Sequence, residues 1–333
     1  MKHERWNAVF IGGTGRCGTN VLKDILTTHS DVCALPFETR FPVDPDGVVH
    51  TYLTLKHSWS PFIADRALKR FSELVRRTKR KSTLDHVYLN FKKVLQFFSV
   101  TVGDRAYAEW ELGKYLTRYG SAAEELVSSL TLGKFDAVWA GGGGAWRGSE
   151  RMFIPATVSE EALRSNFRGF FSDVFGQLLS ERIATTYVDD NTYNTLFGDV
   201  LCELVPGSKI IHMVRDPRDV VVSLRNQRWA PKDLESAIAF YESVMSGWWR
   251  VKERIPGARV TEVRLEDLVD ETEHTIQRIM DFASLDRQLL STKKIDLSRA
   301  NIGRWHLELS EADKELVSRR LEPFANAYGY EST

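Results

Sequence analysis

The chain has 333 residues, 43% hydrophobic and 27% charged, the composition of an ordinary globular protein with room for one large α/β domain or two modest ones. Its 45 basic and 45 acidic residues give a formal net charge of +0, which argues against a generally basic nucleic-acid-binding surface and makes any anion site local. No apolar run approaches the roughly 18 residues of a membrane span, so no transmembrane segment is expected. The first strand is reached by Ala8, so no signal peptide or membrane anchor is expected ahead of it. Cys17, Cys33 and Cys202 are an odd set at unrelated spacings, which fits a reducing, cytoplasmic setting, with Cys33 and Cys202 in the core. No Cys/His cluster has ligand spacing, and no metal site is predicted.

Asn7 to Gly12 reads as a short buried strand, and Leu22, Ile25 and Leu26 recur at helical spacing after a glycine-rich turn. Strand, glycine loop and helix are the layout of a phosphate cradle. Gly12, Gly13, Gly15 and Gly18 let backbone N–H groups approach an anion that the positive end of the helix also faces. Against the G-x-x-x-x-G-K-[ST] loop the match is partial: Gly13 and Gly18 are correctly separated, but Thr19 and Asn20 replace the lysine and the magnesium-binding hydroxyl. A cation stands instead inside the loop, at Arg16.

Pro42, Pro45 and Gly47 mark a loop, and from about Trp59 to Leu130 the sequence is helical, with polar breaks near Ser82, Gly103 and Gly120. The basic stretch Arg66, Lys69, Arg70, Arg76, Arg77, Lys79, Arg80, Lys81 is interrupted by Asp65 and Glu73, as on a solvated helix face; an anionic glycan or lipid surface is the alternative. Trp59, Phe62, Phe91, Trp110 and Tyr115 either line an apolar cavity or, for most of them, fill a core. The segment AGGGGAWRG, Ala140 to Gly148, is a flexible loop by composition, either a lid carrying Trp146 or a tolerated insertion.

From Glu160 onward Leu178, Leu179 and a run of Phe and Val residues form one helical core face. Strands follow at Thr185 to Val188, Lys209 to Val214 and Arg259 to Arg264, with helices reaching Leu204, covering Glu273 to Ala283, and starting at Ser310. This alternation predicts a parallel sheet with right-handed crossovers. After the second of these strands, Asp216 is a good N-cap, Pro217 suits the first helical position and Asp219 the third. None of this explains Arg215, a permanent cation at a strand's carboxyl end, where α/β sheets bind ligands.

Arg16-Cys17-Gly18-Thr19 resembles the loop of sulfotransferases that use 3′-phosphoadenosine-5′-phosphosulfate, PAPS, and Arg215 with Ser223 matches the spacing at which that family holds the 3′-phosphate. His29, Asp31, Val32 and then Glu38-Thr39-Arg40 look like the following segment of tyrosylprotein sulfotransferases and their bacterial relatives, whose Glu is the catalytic base. Val263 to Leu268 resembles the family's Tyr-Glu-Asp-Leu segment with Leu265 in place of Tyr, and Ile302-Gly303-Arg304-Trp305 its C-terminal signature. The resemblance covers 7–41 and about 185–330. It implies a P-loop-like nucleotide-binding sulfotransferase fold, α/β with a parallel sheet flanked by helices. The whole chain 1–333 would be a single domain, with 50–165 a mainly helical acceptor-side insertion.

By the same resemblance Gly13, Thr14, Gly15, Arg16, Cys17, Gly18, Thr19, Asn20, Arg215, Ser223, Arg299 and Arg304 bind the donor, which leaves as 3′,5′-adenosine bisphosphate without a metal. Glu38 and Arg16 are the catalytic candidates. Arg40, Asp189 and Asp190 fall on the acceptor side, with Trp305 either at the ligand or in the core. Asp190 occupies the place of a lysine that supports the transferring group in tyrosylprotein sulfotransferases. Either Lys23 or Arg40 substitutes, or Arg16 and backbone donors suffice; alternatively Asp190 or Asn191 only caps the next helix. The expected activity is sulfuryl transfer to a hydroxyl or amine of a carbohydrate, lipid or small molecule. A nucleotide-dependent kinase of related fold would need the loop lysine and a magnesium carboxylate that this sequence does not offer, and a non-catalytic nucleotide- or glycan-binding protein is the remaining alternative.

Overall fold

The computed structural model describes residues 6–81, 87–89, 91–92, 110–137, 150–291, 297 and 300–330. The chain forms two compact units, one of 5–39 with 182–333, the other chiefly 40–181. In the first unit β1 (Asn7–Gly13) enters the glycine loop and continues as α1 (Thr19–Leu26), then β2 (Val32–Ala34). β2 is only three residues long and was not anticipated from periodicity.

The second unit begins with turns through Pro42 and Pro45, after which Gly47 caps α2 (Val48–His57). Ser60 caps α3 (Pro61–Lys79), its Oγ accepting from Ile63 N, with Pro61 at the first position. α4 (Tyr119–Ser129) starts one residue before Gly120, after turns at 115–118, so the break expected near Gly120 falls at the helix start. An antiparallel hairpin follows, β3 (Thr131–Ala137) with β4 (Glu150–Pro155), in a region expected to contribute no strands. α5 (Glu160–Phe171) passes through a π turn at Ser172–Gly176 into α6 (Gln177–Arg182). Phe167, Phe170, Phe171, Val174, Phe175, Leu178 and Leu179 are all buried, the helical core face that the sequence predicts. Their rings meet Phe41 (5.8 Å from Phe175), Tyr52 (5.3 Å from Phe167) and Phe71 (5.7 Å from Phe170). Each such aromatic side chain brings about 1.5–3 kcal/mol on burial.

The basic stretch on α3 is a solvated face. Arg76 and Arg77 both bond Glu73, holding its carboxyl down at about 2, and Lys69 lies 2.9 Å from Asp65 and Glu150. Trp59, Phe62 and Phe91 are exposed and Trp110 and Tyr115 only partly covered, so these five are not the core residues expected of most of them. Trp59 borders a cavity of about 220 Å³ with Leu55, Leu68, Leu130 and Leu163. The segment 140–148, Ser82 and Gly103 lie outside the described residues.

At Arg182 the chain returns to the first unit through β5 (Thr186–Asp189), a 3₁₀ turn at Thr192–Phe197, α7 (Gly198–Leu204) and β6 (Ser208–Val214). Then come α8 (Pro217–Arg225), α9 (Leu234–Lys252), β7 (Val260–Arg264), α10 (Leu265–Asp270), α11 (Thr272–Ala283), α12 (Arg304–Glu308) and α13 (Glu311–Ala327). The sheet is parallel, ordered β2-β5-β1-β6-β7. On one face Val9, Ile11, Ile211, Met213 and Val263 pack with Leu22, Leu26, Leu268, Ile276 and Ile279 of the helices. Because β1 lies at the centre, the chain leaves it in both directions, and the carboxyl ends of β5, β1 and β6 open side by side, where such sheets bind ligands.

Candidate active site

The glycine loop is shaped by conformation and by crowding. Gly15, Arg16 and Gly18 have φ of 80°, 61° and 93°, the left-handed region; for Arg16, which carries a Cβ, this costs about 1–3 kcal/mol unless its surroundings hold it. A Cβ on Gly13 would fall 2.3 Å from Cys17 Sγ, so Cys17 turns into the core, where it is fully buried and its thiol is pushed up by desolvation. Thr14 Oγ1 donates to Gly15 O at 3.2 Å, Thr19 is buried and Asn20 exposed. Among the described residues no side chain caps α1, whose first residues follow Gly18 directly.

The second cation meets the first. Arg215 leaves β6 nearly buried; its Nη1 donates to Arg16 O at 3.0 Å, and its Nη2 donates to Asn301 O at 2.7 Å and lies 3.3 Å from Asp219. Its Nε is buried without a hydrogen-bond partner among the described residues. Arg16 Nε donates to Ser223 Oγ at 3.1 Å. Asp219, with no exposed surface, also accepts from Gly303 N at 2.7 Å and Trp305 N at 3.0 Å, which docks the C-terminal segment here and brings Arg304 close. Burial, then the charges of Arg215 and Arg304, pull the Arg16 guanidinium below its usual range. Arg16, Arg215 and Arg304 thus gather near the start of α1, with Asp219 3.3 Å from Arg215 and Glu308 2.7 Å from Arg304.

Trp305 is 3% exposed and holds the Arg218 guanidinium 4.2 Å over its ring, so of its two expected roles it takes the core one. Leu265 is likewise buried beneath the loop, where a Cβ on Gly18 would strike it at 2.7 Å. Arg299 lies outside the described residues.

At the end of β5 successive carboxylates diverge. Asp190 pairs with Lys23 of α1 at 2.8 Å, both buried, while Asp190 Oδ2 has no hydrogen-bond partner among the described residues. Asp189 accepts from Thr39 N at 2.9 Å and from Asn194 Nδ2 at 2.7 Å. Both aspartates, expected on the acceptor side, are therefore engaged by protein groups. Asn191 caps the 3₁₀ turn, accepting from Tyr193 N at 3.0 Å, so the capping alternative falls to it. Glu38 is partly exposed next to the buried Thr39. Arg40 opens the other unit, 3.9 Å from Asp44 with its guanidinium 5.8 Å from the Trp110 ring.

Trp229 was not singled out from the sequence. Its ring edge is 2.9 Å from where a Cβ on Gly15 would lie, and it is 52% exposed, an aromatic face beside the glycine loop. No periodicity marks it, since it follows α8 in irregular chain; only the demand for glycine at position 15 hints at a close neighbour.

The model of the sulfotransferase family matches residues 8–288. Comparison with curated protein sequences returns no match. Among solved structures, the sulfotransferase domain of the Synechococcus PCC 7002 olefin synthase aligns at 16% identity and TM-score 0.44 over 99% of this chain and 98% of that one. The sulfotransferase domain from the curacin biosynthetic pathway aligns at 15% and 0.42 over 98% of each chain, and sulfotransferase STF9 from Mycobacterium avium at 12% and 0.42 over 98% of this chain and 78% of that one. With the family model spanning both the glycine loop and the arginine that ends β6, the chain belongs to the sulfotransferase family.

Proposed function

We propose that this chain is a PAPS-dependent sulfotransferase that moves a sulfuryl group to a hydroxyl or amine of a carbohydrate, lipid or small molecule. The observation that supports the reading is the hydrogen-bonded chain from Arg215 through Arg16 to Ser223, beside the carboxyl ends of β1 and β6. The donor supplies an activated sulfuryl group on a phosphate anhydride, with a second phosphate on its ribose. In this chain the N–H groups from Gly15 to Asn20, with Thr19, would hold the anhydride end; a helix start contributes about 0.3–1 kcal/mol, up to ~2 when partly buried. Arg215, Ser223 and Arg304 would hold the other phosphate. Trp229 offers a face on which a base can stack, worth about 1–3 kcal/mol.

Arg16 would stand beside the oxygen that becomes the leaving phosphate, stabilising charge as it accumulates. Glu38 would take the proton of the acceptor, a role worth about 10²- to 10⁴-fold. Lys23 is neutralised by Asp190, so charge stabilisation would rest on Arg16 and the loop N–H groups, with Arg40 the remaining cation of those the sequence offers. No metal is needed in this scheme.

The test is passage of ³⁵S from labelled PAPS into the small-molecule and lipid fraction of a cell extract. Transfer by the wild type, lost in Glu38→Ala and Arg16→Ala, is expected. Tight binding of 3′,5′-adenosine bisphosphate with no transfer would mark a non-catalytic nucleotide binder, and binding that requires magnesium and ATP would mark a kinase.

A further inference from the structure

Thr39 is a fully buried residue in a loop, and each of its polar atoms is held by the end of β5. Its N–H donates to Asp189 Oδ1 at 2.9 Å, its carbonyl accepts from Asn191 Nδ2 at 3.1 Å, and its hydroxyl lies 2.5 Å from Tyr187 Oη. The N–H of Thr39 shares a rigid peptide plane with the carbonyl of Glu38, so the bond to Asp189 fixes the plane from which the Glu38 side chain departs. Asp189 also reaches the other way: its Oδ2 accepts from Asn194 Nδ2 at 2.7 Å, and the same amide donates to Ile11 O at 3.1 Å, on the strand that runs into the glycine loop. These two acceptors orient the Asn194 amide. A bracket therefore runs from the Glu38 peptide through Asp189 and Asn194 to β1.

We propose that Asp189 is a positioning residue, whose carboxylate holds the Glu38–Thr39 peptide in register with the glycine loop and so aims Glu38 at the acceptor. The inference rests on the reading of Glu38 as the base. It reassigns Asp189, which the sequence placed on the acceptor side, to the support of that base. Displacing a catalytic group by about 1 Å can cost ~10²-fold in rate. The alternative, that Asp189 serves only the fold, leaves unexplained why a charge is kept fully buried next to a second carboxylate.

The bracket works only as the anion. Thr39 N, Asn194 Nδ2 and, at 3.4 Å, Asn191 N all point N–H groups at the two Asp189 oxygens, leaving a proton on the carboxyl no acceptor there. Burial pushes the carboxyl up to about 6, with Asp190 raising it further and the bonds from Asn194 and Thr39 opposing. The other titratable groups facing it are Asp190, whose charge Lys23 of α1 matches, and Tyr187, pushed up and uncharged at neutral pH.

The experiment compares the wild type with Asp189→Asn, Tyr187→Phe and Glu38→Gln. It reads transfer of ³⁵S label into the extract fraction, calorimetric affinity for 3′,5′-adenosine bisphosphate, and the ¹⁵N–¹H shift of the Thr39 amide against pH. Expected in Asp189→Asn are a rate at least about tenfold lower and nucleotide affinity within about twofold of the wild type, because the anion pocket is separate. The wild-type Thr39 amide shift and rate should both titrate near pH 6, and Asp189→Asn should lose that titration. Tyr187→Phe, which keeps ring and fold, should lower the rate at unchanged nucleotide affinity. A wild-type rate in Asp189→Asn, or a Thr39 amide that does not titrate, overturns the inference; if Asp189→Asn does not fold, a wild-type rate in Tyr187→Phe does the same. Full activity in Glu38→Gln would instead remove the base reading and this inference with it, so the two failures are distinguishable.

Discussion

Arg215 at the end of β6 donates from Nη1 to the main-chain carbonyl of Arg16 at 3.0 Å, across 199 positions of sequence. The Arg215 side chain thus holds the backbone of the glycine loop, and holds it where Arg16 has left-handed φ. Loop shape and the placing of Arg215 are one structure. A change in either should be felt in both.

Asp219 is the keystone of the C-terminal docking. Asp219→Ala would strand Arg215 and free Gly303 N and Trp305 N, and removing one partner of a buried ion pair costs about 3–5 kcal/mol. Urea denaturation should show a loss of that order. Asp219→Asn should lose less, and nucleotide affinity should fall in both as Arg304 loses its place.

The Lys23–Asp190 pair gives a cycle with opposite expectations for single and double variants. Lys23→Met alone leaves a buried charge unpaired and should cost about 3–5 kcal/mol, whereas Lys23→Met with Asp190→Leu should recover most of it. Chemical denaturation of the four proteins measures the coupling.

At Gly18 two penalties are separable. Gly18→Ala meets both φ of 93° and a Cβ only 2.7 Å from Leu265 Cδ1, with an expected loss of about 1–3 kcal/mol. Adding Leu265→Ala should remove the steric share and leave the backbone share, plus the cost of the new cavity. Thermal unfolding compared with Leu265→Ala alone resolves the two.

The pH dependence of stability carries its own sign. Asp189 has a carboxyl near 6 when folded, against 3.8 for the free group, so between these values the folded state binds more protons than the unfolded one. Its contribution to stability should therefore rise as pH falls from about 6 to about 4, the reverse of a salt-bridged carboxylate. Wild type should gain stability relative to Asp189→Asn over that interval in urea titrations, while its activity declines.

The strands that build the site were legible because each ends in chemistry. β1 runs into glycines, and β6 ends in Arg215-Asp216-Pro217, where an N-cap and a proline fix the boundary. β2 is too short for periodicity to register, and the exposed β3 (Thr131–Ala137) lacks the buried alternate face that marks a strand. The roles of Asp189 and Asp190 were illegible for another reason. Adjacent residues at a strand end point to opposite sides, and only the fold brings Lys23 to one and Thr39 to the other. Asp219 reads from sequence as a helix-start residue, and its partners at Gly303 and Trp305 come from chain 84 and 86 positions away.

The central claim, that one nucleotide spans both anion pockets, is tested most directly by calorimetry of Arg215→Ala with 3′,5′-adenosine bisphosphate and with adenosine 5′-monophosphate. Charge-assisted hydrogen bonds of about 1.5–3 kcal/mol predict that the wild type prefers the bisphosphate by roughly 10- to 100-fold and that Arg215→Ala binds the two nearly alike. An undiminished preference in Arg215→Ala would contradict the account.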